Sequence, residues 1–138
     1  MYLKRTYTSY PDDKIIYETI NTINNYLVSK GAHQTNAPML NVTKSDRSGY
    51  VTTVALPMDK YIDGKGNIEL KNLILGNVLV TEVKGGQATI LNAGHVIESY
   101  ITDHQYSSPG ISYQSLITDR IAEKDTAKWI TKICYPVY

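Results

Sequence analysis

Two stretches of this chain follow one pattern: DRSGYVTTVALP, residues 46–57, and DRIAEKDTAKWITKICYP, residues 119–136. Each begins with Asp-Arg and a polar turn, then continues as aromatic, β-branched, Thr, variable, β-branched, small, large and Pro. Aromatic and β-branched residues favour strands, so both stretches predict a strand after the turn. The second turn is longer, but the two strands match position by position, which indicates an internal repeat.

Helical periodicity repeats in nearly the same register. Apolar residues at the spacing of one helix face run from Ile16 to Leu27, and a similar face runs from Ile90 to Ile101, 74 positions later (90 − 16). Segments rich in β-branched and aromatic residues precede both helices, over Tyr2–Tyr10 and Asn77–Lys84. Each half of the chain therefore predicts a βαββ unit.

The predicted helices have start and stop signals. Asp12 or Asp13 can cap the first helix, and Lys30-Gly31 ends it. The second helix opens after Gly85-Gly86 and ends near Asp103–Gln105.

These elements predict an α+β fold of duplicated βαββ units with pseudo-twofold symmetry. The antiparallel sheet would carry its helices on one side, leaving a central groove where a ligand would bind. A chain of 138 residues suits a single domain, residues 1–138. Its repeats would span about residues 1–58 and 76–138, with residues 59–75 as an excursion from the core.

Composition excludes several functional classes. A formal net charge of +1 without a long basic block argues against direct nucleic-acid binding by this chain. No apolar run suits a signal peptide or a membrane span, so we expect a cytoplasmic protein without membrane contact. A single cysteine, Cys134, excludes a multi-cysteine metal site, and His33, His95 and His104 share no metal-ligand spacing. The sequence therefore predicts no metal and no cofactor.

The run SLITDRIAEKDTAKWITKICYPV, residues 115–137, resembles the C-terminal signature of the GyrI-like family, the effector-binding domain of bacterial transcription activators. That signature consists of a strand, an acidic turn ending in Asp-Thr, a Trp and Thr-Glu-Ile. It ends with a hydrophobic residue followed by Pro-Val. Weaker similarity covers APMLNV at 37–42, VTTVALPM at 51–58 and VTEVKGGQATILNA at 80–93.

The resemblance implies a duplicated βαββ fold that binds small molecules in a central groove. Family members are sensor domains fused to AraC-type or MerR-type DNA-binding modules, stand-alone proteins linked to gyrase inhibition, or hydrolases of cyclopropane-containing compounds. The implied function here is effector or drug sensing in transcription regulation, without catalysis. Because nothing in this chain resembles a helix-turn-helix, a DNA-binding module would be a partner or a fused domain, and the oligomeric state stays open.

One position departs from the family pattern. In drug-sensing members the Glu of Thr-Glu-Ile provides a buried negative charge for lipophilic cations, but Lys132 stands there, and its repeat-mate is Thr53. A lysine repels cations, so we predict a preference for uncharged or anionic lipophilic ligands.

Strand alternation places Ile130, Lys132 and Cys134 on one face of the last strand. The predicted hairpin adds Tyr113 to that face, and Tyr100 is a candidate for an aromatic wall of the groove. The predicted ligand-binding residues are Lys132, Thr53, Ile130, Cys134, Tyr113 and Tyr100.

Other interpretations remain. Lys132 could extend its ammonium to water without any ligand, or form a Schiff base with a carbonyl compound. The chain could be a hydrolase of the cyclopropanoid branch if Glu82 pointed into the groove. It could also be a protein-interaction module whose pocket has closed.

Overall fold

The computed structural model describes residues 1–47, 49–71, 77–106 and 111–137. The chain divides into two compact units, Met1–Leu73 and Ile74–Tyr138. The division lies close to residue 76, where the sequence predicts that the second repeat begins. The assignment of residues 1–138 to one domain, and the pseudo-twofold groove between repeats, stay predictions.

The described residues of unit 1 form one helix and four strands in an antiparallel sheet of order β4-β1-β3-β2. Its elements are β1 (Tyr2–Tyr7), α1 (Asp13–Ser29), β2 (Met39–Ser45), β3 (Gly49–Ala55) and β4 (Ile68–Glu69).

In unit 2 the part of the chain that the structure describes forms one helix, a 3₁₀ turn and three antiparallel strands in the order β5-β7-β6. Its elements are β5 (Val78–Lys84), α2 (Gln87–Asp103), β6 (Tyr113–Leu116), the 3₁₀ turn (Thr126–Lys128) and β7 (Ile130–Pro136). Both units have the order βαββ with the last of these strands in the middle. The α+β class and the repeated topology are therefore as predicted.

Helix α1 forms because its ends are capped and one face is apolar. The Asp12 carboxylate accepts a hydrogen bond from the Ile15 N–H at 2.9 Å, so one of the two predicted caps is used. The helix stops where Gly31 adopts φ +73°, a left-handed conformation that suits glycine. Its buried face packs on β1 and β3 and consists of Ile16, Thr19, Ile20, Ile23 and Leu27.

Helix α2 packs on one face of the unit 2 sheet. It begins after Gly85, whose φ of +143° lets the chain turn sharply from β5. The core that joins helix and sheet contains Val83, Ile90, Ile97 and Ile133, with Leu79, Ala93 and Tyr135 packed against it. Among the described residues of unit 2, no helix packs on the opposite face of this sheet, and we call it the helix-free face.

Two predictions about unit 1 need correction. Strand β1 ends at Tyr7 and not at Tyr10, because the chain must leave the sheet to reach the helix cap at Asp12. The excursion at 59–75 also contributes to the sheet. A tight turn, in which Gly66 has φ +61°, brings β4 alongside β1. Residues 72–75 of the predicted excursion lie outside the described ranges.

Among the residues described, no helix is long and apolar enough to span a bilayer.

Candidate ligand-binding face

Lys132 lies on the helix-free face of unit 2. Its neighbours Ile133 and Tyr135 pack with α2, and successive side chains of a strand point to opposite faces. Lys132 therefore shares its face with Ile130 and Cys134, as the alternation predicted. The side chains of Lys132 and Ile130 are half-buried, and Cys134 is buried.

A row of polar side chains crosses this face. In the antiparallel register Lys132 pairs with Glu82 of β5 on one side and with Ser115 of β6 on the other. Directly opposite residues have Cβ atoms about 4.5–5.5 Å apart and point the same way. We call Glu82, Lys132 and Ser115 the polar row. Glu82 is exposed, and Lys84 follows it on the same face of β5.

A second, less polar row lies beside the first. Cys134 pairs with Val80 of β5 and with Tyr113 of β6, so the predicted position of Tyr113 on the lysine's side is as observed. Val80 is 53% exposed although its side chain is entirely apolar. We call Val80, Cys134 and Tyr113 the apolar row. An apolar body could rest on this row while a charged group reaches the polar row.

The Cys134 thiol is not set up as a nucleophile. Burial raises its pKa, and the hydrogen bond with Tyr113 and the charge of Lys132 oppose that rise without cancelling it. Burial also raises the pKa of Tyr113, and the neighbouring Cys134 raises it further. Both groups are therefore neutral near pH 7. The thiol serves here as a small, weakly polar packing group.

The start of β7 is held from the opposite face by a buried arginine. Arg120 donates from Nη2 to the Thr131 hydroxyl at 3.0 Å and stacks over Trp129, with 5.0 Å between its Cζ and the ring centroid. The Trp129 indole N–H in turn donates to the Glu123 carbonyl at 2.7 Å. Thr131 directly precedes Lys132, so these contacts hold the strand next to the lysine. The sequence interpretation missed this role of Arg120, although the repeated Asp-Arg pair was a signal for it.

Thr53 occupies the corresponding place in unit 1. It lies in β3 between Lys4 of β1 and Asn41 of β2, on the face away from α1. The sheet edge nearby has a shallow cavity of about 140 Å³ that includes Lys4 and Glu69. This volume is below the range of about 300–1,000 Å³ typical of pockets for drug-sized ligands. A ligand contact by Thr53 stays a prediction.

Tyr100 does not join the residues around Lys132. It lies on α2, which packs against the other face of the sheet, and it is 44% exposed. Its ring stacks on His104 with 3.9 Å between ring centroids, and Tyr106 lies next to them. Helical geometry explains this position, because the neighbouring buried residues Ile97 and Ile101 direct Tyr100 toward solvent. We therefore leave Tyr100 out of the candidate face.

The described part of the chain offers few groups for hydrolytic or metal chemistry. No three of its His, Cys, Asp and Glu side chains are placed to hold a metal ion. His95 lies on α2 with Nδ1 at 3.8 Å from Glu98 Oε2, and both side chains are exposed. His33 pairs with Asp59 in unit 1, where its backbone N–H bond holds the pKa of that carboxyl below its usual value. Neither histidine shares the face of Lys132 in unit 2.

Comparison with known proteins identifies the fold. The crystal structure of the EcmrR C-terminal domain superposes with a TM-score of 0.75 and 19% identity, covering 99% of this chain and 90% of that one. The cryo-EM structure of the EcmrR–DNA complex in EcmrR-RPo gives a TM-score of 0.78 and 18% identity, covering 99% of this chain and 53% of that one. This chain thus spans about half of the EcmrR chain in the DNA complex. No protein-family model and no curated protein matches it. The chain has the GyrI-like fold that its C-terminal signature predicts.

Proposed function

We propose that this chain is a ligand-sensing regulatory domain that binds a small lipophilic molecule on the helix-free face of unit 2. The fold it shares with the C-terminal domain of EcmrR, which forms a complex with DNA, supports a sensor that acts with a DNA-binding module. That module would be a partner or a fused domain. The effect of ligand binding would then be on transcription.

The position of Lys132 carries the proposal about ligand preference. Its ammonium provides a positive charge at a half-buried place beside the apolar row. A carboxylate or phosphate at that place would gain a charge-assisted hydrogen bond, whereas a cation would be repelled. We therefore propose that uncharged or anionic lipophilic ligands bind in preference to cations. Ile130 would be a secondary contact on this face, and a ligand contact by Thr53 of unit 1 stays a separate prediction.

Catalysis is the weaker candidate. A hydrolase would need a nucleophile or general base beside the ligand. On the helix-free face the described residues provide the neutral thiol of Cys134, the hydroxyl of Ser115, the amine of Lys132 and the exposed carboxylate of Glu82. Both histidines of unit 2 belong to α2 or its end, on the other face, so neither lies beside these groups as a general base. This set supports binding better than it supports hydrolysis.

A series of probes with one tail and different head groups tests the proposal. Octanoate, octyl glucoside and octyltrimethylammonium share an eight-carbon chain and carry an anionic, an uncharged and a cationic head group, and calorimetry or thermal shift below micelle formation compares their affinities. We expect octanoate and octyl glucoside to bind more tightly than octyltrimethylammonium. Lys132→Met should lower the affinity for octanoate by about tenfold, which corresponds to a loss of about 1.4 kcal/mol in binding free energy.

Lys128 provides the matched control for this experiment. It is an exposed lysine of unit 2 in the 3₁₀ turn, so Lys128→Met removes the same charge outside the strands that form the candidate face. We expect this variant to bind all three probes as the wild type does. Preferential binding of octyltrimethylammonium, unchanged in Lys132→Glu, would refute the proposed preference.

A further inference from the structure

The polar row contains charges of both signs. Glu82 lies directly opposite Lys132 in the register of β5 and β7, and both side chains project from the helix-free face. Ser115 lies on the other side of Lys132 and offers a hydroxyl. The row therefore presents, in order, a negative acceptor, a positive donor and a neutral donor within two strand spacings, each about 4.8 Å wide.

This order of groups matches a ligand that itself carries two charges. An anionic group placed between Lys132 and Ser115 could accept hydrogen bonds from both. A positive group on the same ligand would then lie near Glu82, at about one strand spacing from the anionic group. A purely anionic ligand would meet Lys132 with Glu82 beside it, and the negative charge of Glu82 would reduce its affinity.

The apolar row completes the description of the ligand. Val80, Cys134 and Tyr113 lie one step along the strands from the polar row and on the same face. Val80 is more than half exposed, so a lipophilic body could cover it. Two charges of opposite sign next to apolar surface are the complement of an amphiphile with a zwitterionic head.

We propose that the ligand of this face is a soluble lipophilic zwitterion and that Glu82 is a specificity-determining residue. The anionic group would contact Lys132 and Ser115, and the cationic group would contact Glu82. This inference rests on the proposed function, since it concerns the same face. It narrows the class of uncharged or anionic ligands to compounds with no net charge and two separated charges.

Octylphosphocholine is the probe that tests it, compared with octanoate and octyltrimethylammonium. We expect wild-type protein to bind octylphosphocholine about threefold to fivefold more tightly than octanoate, the range of one solvent-accessible charge interaction. Glu82→Gln should weaken the binding of octylphosphocholine and strengthen the binding of octanoate, so that the order of the two affinities reverses. Glu18→Gln, at an exposed position on α1, is the matched control and should change neither affinity.

The outcomes separate this inference from the proposed function. Octanoate binding could depend on Lys132 while Glu82→Gln leaves the preference between the two probes unchanged. In that case the inference of a zwitterionic ligand is wrong and the proposed function stands. If none of the octyl probes binds, both are wrong. Sedimentation with phosphatidylcholine vesicles distinguishes the source of the head group. We expect no co-sedimentation, and vesicle binding as tight as monomer binding would overturn the assignment to a soluble ligand.

Discussion

Two buried threonines at matching places in the repeats should respond in opposite directions to the same substitution. Thr131 in β7 accepts a hydrogen bond from buried Arg120 at 3.0 Å. Thr52 in β3 holds the same place in the first repeat, and its buried hydroxyl has no hydrogen-bond partner among the described residues. Valine has nearly the shape of threonine without the hydroxyl, so Thr→Val at each position isolates the polar group.

The turn that precedes each strand explains the difference. Between β6 and β7 the chain is long enough for Arg120 to fold back over Trp129 and reach Thr131. Strand β3 begins soon after β2 ends, and Arg47, the matching arginine, is exposed. Unit 1 therefore has the matching threonine, but among the described residues no arginine donates a hydrogen bond to its hydroxyl.

The expected magnitudes follow from the state of each hydroxyl. Thr131→Val removes an acceptor from a charged donor that stays buried, and we expect a loss of about 2 kcal/mol in the free energy of unfolding. Thr52→Val removes an unsatisfied buried hydroxyl, and we expect a gain of about 1 kcal/mol. With a urea m-value of about 2 kcal/mol/M, the two midpoints would differ by on the order of 1 M.

Urea unfolding followed by two signals tests this expectation. Fluorescence of Trp129, the single tryptophan, reports on unit 2, and far-ultraviolet circular dichroism reports on both units. Thr131→Ser keeps the acceptor and should retain most of the stability lost in Thr131→Val. If Thr52→Val destabilises as much as Thr131→Val, the hydroxyl of Thr52 is satisfied after all and the reasoning fails.

Two further predictions concern a pair of glycines and a tyrosine. Gly49 has φ +79° and a Cβ there would collide with the Tyr7 carbonyl oxygen, whereas Gly66 has φ +61° and open space around it. Gly66→Ala should therefore cost about 1–2 kcal/mol of stability, and Gly49→Ala at least about 2 kcal/mol more, in urea titrations; equal losses would contradict the clash. Burial, together with the hydrogen bond to Glu98, raises the pKa of Tyr135 to about 12. Because this is above the unfolded value of about 10, the contribution of Tyr135 to stability is complete below pH 10 and declines as the pH rises toward 12. Ultraviolet difference titration of wild type against Tyr135→Phe measures this pKa directly, and a midpoint near 10 would contradict the burial of the phenol.

Much of the fold could be predicted because local signals and the repeat agree. The cap at Asp12, the stop at Gly31 and the alternation of β7 each follow from short-range chemistry. Alternation predicted which residues share the face of Lys132. The choice of the face without a helix came from the cost of desolvating an unpaired ammonium against a helix, because a one-residue slip in register would exchange the faces. The pairing of Glu82 with Lys132 depends on the register between β5 and β7. The sequence does not reveal that register, because a long connection with a helix separates the two strands.

The contacts of Arg120 and the position of Tyr100 depend on tertiary packing, which local sequence patterns do not determine. The sequence shows that the turn after Arg120 is long, but it does not show that the guanidinium returns to Trp129 and Thr131. The sequence makes Tyr100 a candidate for an aromatic wall of the groove. Its helix packs on the other face, and only the buried neighbours on the helix reveal which way it points.

The extra strand β4 makes the edges of the two units different. Strand β1 has β4 beside Tyr2 and Leu3, so this part of its backbone is paired on both sides, whereas β5 pairs with β7 alone among the described strands. An edge strand with free N–H and C=O groups can recruit strands from other molecules and begin aggregation. The alternation of Glu82 and Lys84 with apolar residues along β5 opposes this, because two charges would have to be desolvated or paired across the new contact. The carboxylate that we assign to ligand selection would then also keep the protein from self-association, and replacing it would carry a cost in solubility.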